Sequence, residues 1–156
     1  MGRILALDVG KRRIGLAVSD ELGLTAQGIE TLTRTRIRDD LAALRQIASQ
    51  WSVHTLLVGK PLHMSGDESR QSEYTREFAE RLSKSLGLPI VYLDERLTSK
   101  EAGRLLREGG ASLFESRQAV DRMSAMLILE SYLGFLTNES QSESMLESSE
   151  SGETIG

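Results

Sequence analysis

Two apolar, β-compatible segments at the start of the chain, RILALDV (3–9) and RIGLAVSD (13–20), are joined by only Gly10-Lys11-Arg12, which reads as a hairpin turn. A third extended stretch follows at 24–33 (LTAQGIETLT). From Ile37 the period changes: Ile37, Leu41, Leu44, Ala48 and Trp51 recur by four, three, four and three, which is one face of a helix. HTLLVG (54–59) reads as a buried strand closed by Lys60-Pro61, because proline has no donor for the ladder. A loop with Ser65-Gly66-Asp67 leads to a second amphipathic helix marked by Thr75, Phe78, Ala79, Leu82 and Leu86, stopped by Gly87 and Pro89. Ile90 to Leu93 form a strand that closes on Asp94-Glu95-Arg96. The capping-box spacing of Thr98-Ser99-Lys100-Glu101 then opens a helix through about Arg107, broken at Gly109-Gly110. A last helix from about Ser116 to Phe135 is apolar around most of its circumference and is expected to be buried. Three meandering strands followed by alternating β and α units predict an α/β fold: a mixed five-stranded sheet with helices on both faces.

Length and residue usage narrow the chemistry. A chain of 156 residues supports one compact domain. It has no cysteine, which excludes disulfides, thiolate metal ligands and a catalytic thiol, and its two histidines leave little for an imidazole zinc site. Any metal site is expected to be built from oxygen. MGRILALDVG has only a short apolar run before an aspartate and basic residues, so a signal peptide is not expected. No stretch resembles a twenty-residue membrane span, and the expected location is the cytoplasm. Residues 137–156 carry five acidic and no basic side chains, leaving 19 basic against 18 acidic in residues 1–136. That Ser/Glu-rich tail is expected to be a solvated appendage to a 1–136 domain, since its scattered apolar residues cannot repay the entropy of ordering. Arginine outnumbers lysine by 15 to 4, and its planar fork suits phosphate.

Three acids stand out. Asp8 interrupts an apolar strand, where a charge is disfavoured, on the face shared by Ile4 and Ala6. Glu95 ends IVYLDE on the face of Val91 and Leu93. Asp121 lies on a helical stripe with Ser124, Ala125, Ile128, Leu129 and Tyr132, where the small Ser124 and Ala125 allow a close approach to a neighbouring element. Singly, each has a structural reading: an Asx turn before Gly10, an ion pair with Arg96, a dipole-complementing acid in a first turn. Together, three carboxylates aimed at one core-facing surface would repel unless a cation neutralised them. Oxygen ligation with open positions suits Mg²⁺ or Mn²⁺, and such ions serve hydrolysis of a phosphodiester with water as nucleophile. Lys11, Arg12, Arg13, Lys60, Arg96 and Arg117 are the candidate phosphate contacts.

The motifs Asp8-x-Gly10-x-x-Arg13-x-Gly15 with Ser19-Asp20, Val58-Gly59-x-Pro61 with Met64 and Gly66, Asp94-Glu95-Arg96 with Thr98 and Ala102, and Val120-Asp121 with Ala125, Ile128 and Leu129 occur in that order over about residues 3–136. In this they resemble the YqgF (RuvX) family. The resemblance implies an RNase H-like fold and a bacterial cytoplasmic nuclease that matures the 5′ end of the 16S ribosomal RNA precursor. It also implies that the family's acidic positions fall on Asp8, Glu95 and Asp121. The expected partner is nucleic acid, above all pre-16S rRNA, with ribosomal particles alongside; no membrane partner is expected, and the expected state is monomer or weak homodimer. Lys60 stands where the family usually has an apolar residue, Ser99 replaces a frequent threonine and Ser124 a frequent alanine. The segment before Asp121 has only Arg117 as a basic residue, which implies weaker RNA contact there.

Other readings use the same residues. A four-way DNA junction resolvase would need the same acids, and a non-catalytic RNA-binding or transcription-associated factor would keep the fold and the cations but not cleave. An actin-type or sugar-kinase phosphate loop also places Asp-x-Gly in a hairpin, but that architecture needs a second clamping domain for which this chain is too short.

Overall fold

The structure is a computed structural model of the chain, and it describes residues 2–60, 67–94 and 122–137. Its elements are β1 (Arg3–Val9), β2 (Arg13–Ser19), β3 (Ala26–Gly28), β4 (Leu32–Thr33), α1 (Ile37–Gln50), β5 (Val53–Lys60), α2 (Asp67–Leu86) and β6 (Ile90–Asp94). Residues 122–137 form a further helix, α3. The expected hairpin is present: β1 and β2 pair antiparallel with Asp8 opposite Gly15 and Val9 opposite Ile14. Parallel pairing of β1 with β5 and of β5 with β6 completes the order β3-β2-β1-β5-β6, with β4 also on β2.

The sheet therefore has six strands rather than the expected five, because the 24–33 stretch divides into β3 and β4. Gly28 marks the break. A Cβ there would lie 2.5 Å from Cγ of Arg122 and 3.0 Å from Sδ of Met126, so the close approach of α3 requires a residue without a side chain. Beyond Gly28 the Ile29 N–H still donates to the Leu16 carbonyl of β2 at 3.0 Å, and ladder pairing with β2 resumes at Leu32 and Thr33.

Strand alternation sorts the core into two layers. Leu5, Leu7 and Val9 of β1, with Ile14, Leu16 and Val18 of β2, pack with Leu44 and Ala48 of α1 and Phe78, Ala79 and Leu82 of α2. Ile4 and Ala6 of β1, Ala17 of β2, Leu57 of β5 and Leu93 of β6 pack with Ala125, Ile128, Leu129 and Leu133 of α3. Each fully buried leucine of the central strand contributes about 1.5–3 kcal/mol of apolar burial. Helices thus cover both faces, as the β/α alternation predicts.

Helix boundaries follow local chemistry. Asp39 and Asp40 sit in the first turn of α1, where negative charge complements the helix dipole. After α2 the chain turns at Gly87, whose φ of 69° is left-handed and whose N–H donates to the carbonyl of Ser83 at 2.8 Å, an αL stop of the kind the Gly87-x-Pro89 pattern predicts. The expected helix at 98–107, and the 116–121 portion of the last one, lie outside the described residues. The described part of α3 is less buried than the expectation: Ala125, Ile128, Leu129 and Leu133 are buried, while Phe135 and Leu136 are about 40% exposed. Its outward positions have no element packed on them among the described residues. No helix among the described residues is long and apolar enough to cross a membrane.

Candidate active site

Because β1, β5 and β6 run parallel, their carboxyl ends share one edge of the sheet, and that edge is where ligands bind in open α/β sheets. Asp8 lies there, half-buried, one residue from the end of β1. Its parity with Ile4 and Ala6 puts it on the α3 side, the face the sequence assigned to it. The cross-strand partner of Asp8 is Gly15, which brings no side chain beside the carboxylate. Arg13 is the diagonal neighbour on the same face, within the range in which a long side chain can act across a strand pair.

The hairpin beyond Asp8 is tightly made. The Gly10 N–H donates to the Arg13 carbonyl at 2.9 Å, and a Cβ on Gly10 would fall 2.7 Å from that same oxygen, so only glycine fits this turn. Lys11 and Arg12 are exposed at its tip. Three cationic side chains therefore follow Asp8 within five residues, at the sheet end where the strands open.

The direction of α3 bears on the same edge. Its last residues, Leu136 and Thr137, line a cleft of about 550 Å³ with Gly2, Ile4, Ser19 and His54, at the amino ends of β1 and β5. Its first turn, at Arg122 and Met126, lies instead against Gly28, which pairs with Ala17, itself opposite Ala6. The helix thus runs with its N-terminal end toward the Asp8 edge. Asp121 immediately precedes Arg122 and Glu95 immediately follows Asp94 in the chain, but both acids, with Arg96 and Arg117, lie outside the described residues. Among the described residues no three His, Cys, Asp or Glu side chains form a metal-binding group. The hard carboxylate of Asp8, half-buried at a strand end, has the donor chemistry of an Mg²⁺ or Mn²⁺ ligand.

Lys60 is in a different position from the other cations. It ends β5 at the same edge, paired with Asp94, but Leu57 belongs to the α3 layer and alternation carries Lys60 to the α2 side. Its ammonium lies 4.3 Å from the centroid of the Tyr92 ring, a cation–π contact. Burial raises the pKa of the Tyr92 phenol, with the charge of Glu80 adding to the effect and Arg76 opposing it. The sheet thus separates Lys60 from Asp8, whereas Arg13 shares the face of Asp8.

Sequence reasoning did not single out Arg34 and Asp40, which form a buried ion pair at 3.3 Å between Nε and Oδ2 beneath the hairpin. The signal available was weak: an Arg and an Asp six residues apart around a helix start. Their partners come from distant segments and become visible only in the fold.

Comparison with known proteins extends this geometry. The family described as "RuvX: Holliday junction resolvase" matches residues 2–134. A Koribacter versatilis protein named "Putative pre-16S rRNA nuclease" is 54% identical over 132 residues, covering 85% of this chain and 86% of that one. Proteins of the same name from Moorella thermoacetica and Synechococcus elongatus are 45% and 46% identical over 84% and 83% of this chain, and 94% and 87% of theirs. Among solved structures, Thermus thermophilus RuvC aligns with a TM-score of 0.56 at 14% identity, covering 85% of this chain and 96% of that chain. RuvC bound to a Holliday junction substrate aligns at 0.55 and 10% identity, over 87% and 96%. That likeness shows the RNase H-like resolvase fold. A family match across nearly all of the described residues, together with relatives sharing about half their sequence over most of both chains, shows that this chain belongs to the RuvX family of nucleases.

Proposed function

We propose that this protein is a divalent-metal-dependent nuclease that processes the 5′ end of the 16S rRNA precursor in the cytoplasm, with Asp8, Glu95 and Asp121 as the residues that would hold Mg²⁺ or Mn²⁺. The observation that carries the reading is Asp8. It is a half-buried acid on the α3 side of the central strand, at the carboxyl edge of the parallel strands and next to a basic hairpin. The relatives' names supply the RNA substrate. When bound, the cation would supply positive charge against the phosphate oxygens of the scissile bond.

The chain's own residues divide the remaining work. Asp8 fixes the position of the carboxylate cage, because its backbone is paired with Gly15 of β2 directly after the last β1–β5 pair, Leu7 with Val58. Lys11, Arg12 and Arg13 hold backbone phosphate beside it, and Arg13 is the one on its face. Gly15, its cross-strand partner, adds no side chain beside Asp8. The N-terminal end of α3 approaches the same edge and would deliver Asp121 there. The tail beyond residue 136 follows the 2–134 span matched by the family and takes no part in this account of cleavage.

A second reading, a four-way DNA junction resolvase, is favoured by the family's description and by the fold shared with RuvC. Both readings use the same acids and differ in substrate. Cleavage of matched pre-16S RNA and DNA-junction substrates, in Mg²⁺, Mn²⁺ or EDTA, decides between them. Metal-dependent cleavage of the RNA alone is expected. Cleavage of the junction alone would select the resolvase reading, and metal-independent turnover would remove the carboxylate site.

A further inference from the structure

The two residues after Asp8 are held from beneath. Gln71 of α2 donates from Nε2 to the carbonyl of Val9 at 3.2 Å. Arg34 donates from Nη1 to the carbonyl of Gly10 at 3.2 Å, and its own backbone N–H donates to the carbonyl of Arg12 at 2.9 Å. The same guanidinium donates to the Tyr74 hydroxyl and, through Nε, to Oδ2 of Asp40 at 3.3 Å. It lies 4.5 Å from the ring centroid of Phe78 and 5.3 Å from that of Tyr74. The Arg34 side chain is 10% exposed and that of Asp40 2%, while Oδ1 of Asp40 accepts from the Thr35 N–H at 3.0 Å.

A buried ion pair is costly to desolvate, and well-packed apolar residues of similar volume often serve stability as well or better. What the pair provides here is position. The planar fork of Arg34 spans the first-turn carboxylate of α1, a hydroxyl on α2 and the carbonyl of the hairpin's first residue, three points from three elements. We infer that Arg34 is a positioning residue for the nuclease: seated on Asp40, Phe78 and Tyr74, it fixes the Gly10–Arg13 hairpin in register with Asp8. The phosphate held by Lys11, Arg12 and Arg13 is thereby presented to the carboxylate edge. This inference rests on the proposed site at Asp8. Loss of the clamp leaves the hairpin's charges in place to attract RNA, but it spoils their alignment, and misplacement by about 1 Å can cost about 100-fold in rate.

The test compares the parent with Arg34→Lys, Tyr74→Phe and Asp8→Asn in the full chain. Turnover and KM are measured on pre-16S RNA in Mg²⁺, alongside amide hydrogen exchange and thermal melting. Arg34→Lys keeps a cation near Asp40 and the two rings but loses the fork. Its kcat should fall about 10- to 100-fold per folded molecule, with KM within about 3-fold and faster exchange at the Gly10 and Arg34 amides. Tyr74→Phe keeps the ring and removes one acceptor, so it should lower kcat in the same direction by less, even if Arg34→Lys folds poorly. Parental kcat per folded molecule in both variants, or lower kcat with unchanged hairpin exchange, would overturn the inference. If Asp8→Asn cleaves like the parent while Arg34→Lys still loosens the hairpin, the carboxylate reading fails and the positioning device stands. If Asp8→Asn is inactive and Arg34→Lys is not impaired, the reverse holds.

Discussion

Ala125→Leu tests whether α3 carries the site. Ala125 is fully buried in a cluster with Ala6 and Ala17, also fully buried, so three methyl-sized side chains meet where α3 crosses the sheet. That composition allows the helix to approach closely, and the contact at Gly28 is tighter still. Leucine adds three carbons at this fully buried position. Overpacking of this kind costs about 1–3 kcal/mol. For a chain of this size that corresponds to a fall of about 2–4 °C in Tm per kcal/mol. The bulk is relieved by lifting the N-terminal end of the helix, since Ala125 lies four residues after Asp121. Leu133→Ala is the control, because Leu133 is 6% exposed in the same layer but lies at the far end of the helix, and its truncation costs about 2–5 kcal/mol through a cavity. Both variants should melt lower in a thermal scan followed by circular dichroism. Only Ala125→Leu should lose cleavage beyond its unfolded fraction, by about 10-fold or more. Equal cleavage per folded molecule in the two variants would refute the argument that α3 positions a functional group at the Asp8 edge.

Mg²⁺ or Mn²⁺ should raise Tm by mass action, about 2.7 kcal/mol at a hundredfold excess over Kd, and Asp8→Asn should diminish the gain; equal calorimetric shifts in both proteins would count against carboxylate ligation. The Arg12→Ala/Arg13→Ala double variant should bind RNA more weakly and flatten the plot of log affinity against log salt by about 0.7 per lost phosphate contact, whereas an unchanged slope would remove the hairpin from the RNA interface. Asp20 accepts N–H bonds from Leu24 at 2.7 Å and Thr25 at 3.0 Å, and these amides, Thr25's foremost, hold its pKa below the ordinary 3.8. A depressed carboxylate contributes above its unfolded pKa and the contribution is lost as pH falls through the folded value. The turn at 20–25 should therefore stay ordered at pH 4 and loosen only below 3.8, which NMR titration of the Leu24 and Thr25 amides would follow; loosening above 3.8 would contradict the assignment.

Much of the fold was legible because alternation and helical period are local. Ile4, Ala6 and Asp8 share a face in the sequence and in the sheet, and the period from Ile37 gives α1 nearly to its last residue. The need for a glycine at position 28 was not legible, since the residues that crowd it, Arg122 and Met126, come almost a hundred residues later. The exposed outer side of α3 was misjudged for a related reason: Phe135 and Leu136 look like core by composition, and only the packing shows that one stripe suffices. For Lys60 the information was present, because alternation from Leu57 already places it on the opposite face from Asp8. The Arg34 clamp gave little pattern, because its partners are a glycine carbonyl of the hairpin, an aspartate carboxylate of α1 and a tyrosine hydroxyl of α2, brought together only by the fold.

The most direct test of the central claim is to measure cleavage and RNA affinity side by side for Asp8→Asn, Glu95→Gln and Asp121→Asn. If the three carboxylates share the task of holding one catalytic metal centre, each single variant should lose nearly all cleavage, and the triple variant should be little worse. RNA affinity, carried by the hairpin cations, should stay near that of the parent. Parental cleavage by all three variants would contradict the carboxylate site and leave a nucleic-acid-binding protein whose chemistry lies elsewhere.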